Sequence, residues 1–189
     1  MRRKQIQDGF TLVEIAVVVM LIGILLAIAI PLFTLYLQDA QSARFVSDLR
    51  VYAGAFETYR SENGAWPADQ PRDQLYPDGM DVYLDSTGWD CPTSIGGNYF
   101  FDSLRLHNGV PWPAVISVGD YSSGTPQPVR ASTEQLADID EAFDDGDLNT
   151  GRLQQGYQNM PILILDSSFE EYQRIAKAHE DAGTTPPSW

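Results

Sequence analysis

The sequence predicts an α+β protein in which one long N-terminal helix, membrane-spanning in its first half, packs against a C-terminal antiparallel sheet with short extra helices. Three observations carry that prediction. Ile15–Leu37 contains no charged residue, and at about 1.5 Å per residue a helix of this length reaches roughly 34 Å, enough for a hydrocarbon core of about 30 Å. Phe45, Leu49, Tyr52, Phe56 and Tyr59 then recur at spacings of 4, 3, 4 and 3, one apolar stripe on a continuing helix. Beyond Gly64, short β-rich runs are separated by Pro, Gly and Asp, the pattern of strands joined by turns.

The apolar run begins after three cations, Arg2, Arg3 and Lys4, and the next cation is Arg44. That asymmetry leaves the N-terminus in the cytoplasm and sends everything after Leu37 outward. Glu14 is the exception in the run. A carboxylate in lipid costs several kcal/mol and needs a partner. It lies four residues after Phe10, so a cut between Gly9 and Phe10 would put a new α-amino group near it, or near the same residue of a neighbouring copy. Such an ion pair would offset desolvation and set the stagger between subunits. The simpler alternative is a glutamate near the end of the span, reaching back to the headgroups. Gly23 and Pro31 weaken the helix, since proline removes a donor and clashes with the carbonyl near Ala27.

The basic leader Met1–Asp8, the Gly9-Phe10 junction, Thr11-Leu12-Val13-Glu14 and the apolar helix ending Ile28-Ala29-Ile30-Pro31 resemble the type IV pilin and type II secretion pseudopilin superfamily. The resemblance covers roughly the first third of the chain. It implies that a prepilin peptidase cleaves after Gly9 and methylates Phe10, and that Glu14 compensates the N-terminal charge of an adjacent subunit. It also implies a pilin-like fold and local unwinding over Gly23–Pro31 in the assembled state. The expected divisions are a leader over 1–9, a transmembrane or filament-core helix over 10–37, its amphipathic continuation over 38–64, and a globular head over 65–189. Two other readings of the N-terminus exist. Ala27-Ile28-Ala29 offers a secretory cleavage site, but apolarity continues past it and an acidic residue inside such a region is unusual. A permanent single-pass anchor explains the length but not the order Gly-Phe-x-x-x-Glu.

Along the rest of the chain, Asn63-Gly64 stops the helix and Pro67 follows. The Glu62–Pro67 exit, Glu-Asn-Gly-x-Trp-Pro, resembles that of many pseudopilins. Ala65–Gly97 is an irregular connector with a short strand at Met80–Leu84. Its aromatic residues, Trp66 and Trp89 among them, are better read as pins to the core than as a sugar platform. Asn98–Leu106 and Pro113–Val118 form an antiparallel hairpin. Ser122–Pro128 is a loop. Ser132-Thr133-Glu134-Gln135 is a capping box that opens a helix with Leu136, Ile139 and Phe143 on one side. Arg152–Tyr157 and Pro161–Leu165 are further strands. Ser167 and Ser168 cap a C-terminal helix over Phe169–Glu180, and Thr184–Trp189 is a frayed tail.

The 189 residues carry a formal charge of −14. Loss of Met1–Gly9 removes three cations and one anion, which takes the side chains to −16. So acidic a surface disfavours nucleic acid and anionic lipid as partners of the head. Cys91 is the single cysteine, which forbids an intrachain disulfide. Many type IV pilins close their C-terminal region with one, so this lack favours a pseudopilin. No catalytic motif stands out. His107, in a turn, and His179, near a helix end, read as surface residues. Asp138–Gly151 is the densest polar stretch, and Asp144, Asp145, Asp147 and Asn149 on a Gly-flanked turn are the kind of hard oxygen ligands Ca²⁺ takes, though not at EF-hand spacing. A solvated acidic helix end paired with Arg152 is the alternative. The resemblance adds that major pseudopilins hold calcium in a C-terminal loop.

The expected function is that of a non-enzymatic filament subunit, a pseudopilin of a type II protein secretion system. Its partners would be prepilin peptidase, an inner-membrane assembly platform, membrane lipid before assembly, and other pilin-like subunits. It would start as a single-pass inner-membrane protein with a periplasmic head and end in a periplasmic or cell-surface filament. A surface type IV pilus subunit is the alternative within the superfamily. A membrane-anchored periplasmic binding protein or enzyme is the alternative of another class.

Overall fold

The computed structural model describes residues 10–85, 87–107, 110–120, 128–156 and 160–168. The leader, the turn residues Asn108 and Gly109, most of the loop over Ser122–Pro128, Tyr157, the C-terminal helix and the tail lie outside the described residues. The chain divides into two units, residues 1–40 and 41–189, and helix α1 (Leu12–Asn63) supplies residues to both.

Unit one, as described, is helix and little else. Every residue from Phe10 to Ala40 is exposed, with Leu12 at 85 % and Phe33 at 63 %. The backbone is helical through Gly23 and Pro31. Helix α1 is long and apolar enough to cross a membrane.

Unit two is built on the apolar stripe of α1. Phe45, Leu49, Tyr52 and Phe56 are buried and Tyr59 packs at the margin. Val46 and Ala53 widen the stripe. The helix ends where Gly64 takes a φ of 74° and donates its N–H to the Arg60 carbonyl, because a residue without Cβ enters that region freely. Opposite the stripe lie strands β1 (Asn98–Asp102) and, after two 2-residue strands β2 (Leu106–His107) and β3 (Val110–Pro111), β4 (Ala114–Gly119). Helix α3 (Thr133–Phe143) and strands β5 (Leu153–Gln155) and β6 (Pro161–Asp166) follow. The main sheet runs β1-β4-β6-β5, antiparallel throughout. Alternation along each strand sends Tyr99, Phe101, Ile116, Val118 and Leu163 toward α1, and Val115, Ile162 and Ile164 to the other face with Trp112. Phe56 stacks on Phe101 at 4.6 Å and Tyr52 meets Trp89 edge-on at 5.0 Å, so aromatic pairs supply much of the seam.

Three expectations need correction. Met80–Leu84 is not a strand but one turn of helix, α2 (Asp81–Leu84). A strand would put Met80, Val82 and Leu84 on one face; the helical turn buries Met80 and Leu84 completely and leaves Val82 83 % exposed. The first strand stops at Asp102, short of Leu106, because Leu104 adopts a φ of 62° and turns the chain. Its N–H reaches the Trp112 carbonyl at 2.9 Å, which closes the loop that carries β2 and β3. Finally, only half of the capping box forms. Ser132 Oγ accepts from the Gln135 N–H at 3.2 Å, but the Gln135 side chain donates to Ser42 Oγ on α1 instead of turning back.

Candidate functional site

Two places carry the sequence-derived candidates. At the first, the start of α1, Thr11 and Glu14 satisfy each other. The Thr11 N–H and hydroxyl donate to Glu14 Oε2 at 2.9 and 2.8 Å, and the Glu14 N–H donates to Thr11 Oγ1 at 3.2 Å. This is a reciprocal capping box: Thr11 covers an orphan donor of the first turn and Glu14 reaches back to the cap residue. The Thr-x-x-Glu spacing announces it, so the pairing could have been read from the chain. Phe10, immediately outside the box, is 83 % exposed. Gly9 lies outside the described residues. A Cβ at Gly23 would meet nothing within 4 Å, so no packing within the described residues calls for glycine there.

At the second, the end of α3, Asp140, Asp144 and Asp145 each offer a carboxylate oxygen within 4.8 Å of the others. Asp144 and Asp145 are exposed; Asp140 is fully buried, and neither of its oxygens makes a well-formed hydrogen bond among the described residues, the Gly146 N–H and the Asp145 carboxyl being its nearest polar neighbours. Burial, followed by the charges of Asp145 and Asp144, pushes the Asp140 carboxyl up to about 6. The loop is wound on the other two. Asp145 accepts from the Asp147 N–H at 3.0 Å and from the Thr150 hydroxyl at 2.9 Å, and Asp144 accepts from the Arg152 N–H. A Cβ on Gly151 would overlap Asp144 Oδ2. Asp147 Oδ1 accepts from the Asn149 backbone and side-chain amides, at 3.1 and 2.9 Å. So Asp144 and Asp145 come together, and Asp147 and Asn149 pair with each other beside them. The sequence reading missed Asp140. It sits four residues after Leu136, on the buried face of α3, and that spacing was the available signal.

A third cluster was not anticipated. Asp102, fully buried on β1, accepts from Arg72 Nη2 and from Ser117 Oγ, with Arg105 Nε at 3.5 Å and His107 Nε2 at 3.2 Å. His107 is therefore no surface residue, its side chain being 11 % exposed. Asp69 takes the Arg105 guanidinium in a two-pronged pair at 2.7 to 3.0 Å. Two carboxylates against two guanidiniums leave no net charge for an anionic ligand, and the cluster reads as a structural tie. Cys91 is exposed, and His179 lies outside the described residues.

The prokaryotic N-terminal methylation motif matches residues 4–30. The chain is similar to fimbrial protein EcpC of Eikenella corrodens, 42 % identical over 66 residues, which are 35 % of this chain and 43 % of that one. It is similar to type II secretion system core protein G of Pseudomonas aeruginosa, 39 % identical over 70 residues, covering 37 % and 49 %. It is 30 % identical over 105 residues to type IV major pilin protein PilE of Neisseria gonorrhoeae, covering 56 % and 54 %. The chain spans about half the length of these curated relatives.

Proposed function

We propose that this chain, which belongs to the type IV pilin and pseudopilin superfamily, is a non-enzymatic structural subunit of a helical filament, specifically a pseudopilin of a type II protein secretion system. The observation that carries this reading is a Gly9-Phe10 junction followed by Glu14 at the head of a helix whose apolar side chains are uncovered from Phe10 to Leu37. Such a surface needs lipid or other copies. The precursor sits in the inner membrane with its N-terminus in the cytoplasm. A prepilin peptidase cuts after Gly9, and an assembly platform moves the subunit from lipid into a filament whose core is the apolar helices, with local unwinding over Gly23–Pro31.

Co-expression with a prepilin peptidase, followed by N-terminal sequencing and mass spectrometry, tests this reading. The expected product starts at a methylated Phe10. A protein that still starts at Met1 would instead be a membrane-anchored binding protein or enzyme. A surface pilus subunit is the second reading, favoured by similarity to the fimbrial protein and to the major pilin. The single cysteine and the acidic loop support secretion. Loss of protein export with pili intact, in a strain lacking the chain, separates the two.

The acidic loop is part of the proposal. Calcium would be held by Asp140, Asp144 and Asp145, with Asp147 and Asn149 joining only if they gave up their mutual hydrogen bonds. The orphaned, buried Asp140 carboxylate supports the fit, since such a group wants a proton or a cation. When bound, the ion would supply the positive charge that offsets three converging carboxylates. At a hundredfold excess over its Kd, calcium stabilises a fold by about 2.7 kcal/mol, which is roughly 5–10 °C in Tm for a head of this size. Chelator should reverse the gain and Asp140→Asn should abolish it. An unmoved melting curve would remove calcium from the account.

A further inference from the structure

Part of the edge of β1 is occupied by the chain itself. In an antiparallel strand alternate residues turn their N–H and C=O to one side, and on β1 the Phe101 groups face away from β4. Both are taken by one residue of the connector. The Gln70 N–H donates to the Phe101 carbonyl at 3.1 Å, and the Phe101 N–H donates to Gln70 Oε1 at 3.0 Å. One step further on, the Ser103 N–H donates to Asp69 Oδ1 at 3.1 Å.

Gln70 is 1 % exposed, and its Nε2 donates to the carbonyls of Gln74 and Leu75 at 3.0 and 3.1 Å, so the strap is tied to itself as well as to the strand. Asp69 is held in place by the Arg105 pair. At the opposite edge β5 is three residues long, and its Gln155 N–H already goes to the Leu148 carbonyl at 2.9 Å. A buried glutamine whose side-chain amide and backbone N–H are all engaged is an expensive device if packing alone were needed, because an aliphatic residue would fill the space without desolvating an amide.

We propose that Asp69 and Gln70 form an edge guard, which fills the positions that the β1 edge of a second copy would otherwise use and so prevents two heads from pairing strand to strand. The partner excluded is another copy of this chain, because β1 edges brought together antiparallel offer each other the same donors and acceptors. Exposed edges of this kind template aggregation, and a protein crowded in one membrane meets its copies constantly.

The test uses the full chain in detergent, with Glu14→Ala in all samples to suppress association through the helix. Gln70→Ala and the milder Asp69→Ala are each compared with that background by sedimentation and by the infrared band of intermolecular β-sheet. Freeing two backbone positions should move the onset of association, with that band, to about tenfold lower protein concentration for Gln70→Ala, and less for Asp69→Ala. If Gln70→Ala fails to fold, Asp69→Ala decides alone. A folded variant that sediments as the background does, or associates without the β-band, overturns the guard.

Discussion

Glu14→Ala is expected to leave cleavage after Gly9 near wild-type level and to lower filament yield at least about a hundredfold, since leaving one partner of a buried ion pair unpaired costs about 3–5 kcal/mol. In the lone chain the carboxylate already accepts two hydrogen bonds from Thr11, and the Glu14 N–H returns one to the Thr11 hydroxyl. Assembly would bring the Phe10 amine of a neighbour, and a charged acceptor outbids a hydroxyl for that amine. Glu14→Gln separates the two roles. Glutamine still completes a capping box, so the start of α1 should keep its local hydrogen bonds while the charge is lost. A Glu14→Gln protein that assembles at wild-type yield, measured by shearing and quantifying filaments, would refute charge pairing and leave a purely local capping role.

Asp102→Ala carries the largest expected effect on the head. The change removes a buried acceptor from both Arg72 and Ser117 and leaves Arg72 its stack on Phe100. Breaking such a pair costs about 3–5 kcal/mol, or roughly 10–15 °C in Tm for a domain of this size. The tie also has a pH signature. Burial pushes the Asp102 carboxyl up, but the neighbouring His107 imidazole, the charge of Arg72 and the hydrogen bond from Ser117 more than offset it and hold the group below its ordinary value. Asp166 behaves alike: burial raises it, while Ser168, Trp66 and Arg60 together hold it low. For a depressed carboxyl the unfolded chain binds more protons than the folded one as pH falls below about 4. The stabilisation is therefore complete above that pH and is lost on acidification through the folded-state values. Thermal melts from pH 7 to pH 2 should show a steep fall in wild type and a shallower one in Asp102→Asn. Equal slopes would mean the tie is not what acid breaks.

Much of the architecture was legible in one dimension because it rests on local rules. The 4-3-4-3 stripe that ends at Tyr59 needs only the helical period, and the stop at Gly64 needs only the absence of a Cβ. The β-rich runs in Asn98–Asp102 and Pro161–Leu165 need only strand propensity and flanking turn residues. The misreadings share a cause. Met80–Leu84 fits either period over so few residues, and only the core, by taking Met80 and Leu84 while leaving Val82 out, selected the helix. The strand after Asn98 reads on to Leu106, and nothing local reports that Leu104 will turn left-handed to meet Trp112.

The first helix of this protein is thus legible from length and apolarity alone, because a bilayer would impose its demands residue by residue. The head is not. Its strand order, the burial of Asp102 among Arg72, His107 and Ser117, and the closure of β1 by Gln70 all join residues far apart or on opposite sides of a turn. Those pairings are chosen by the whole core at once, since a polar group is buried only where the folded chain brings its partner.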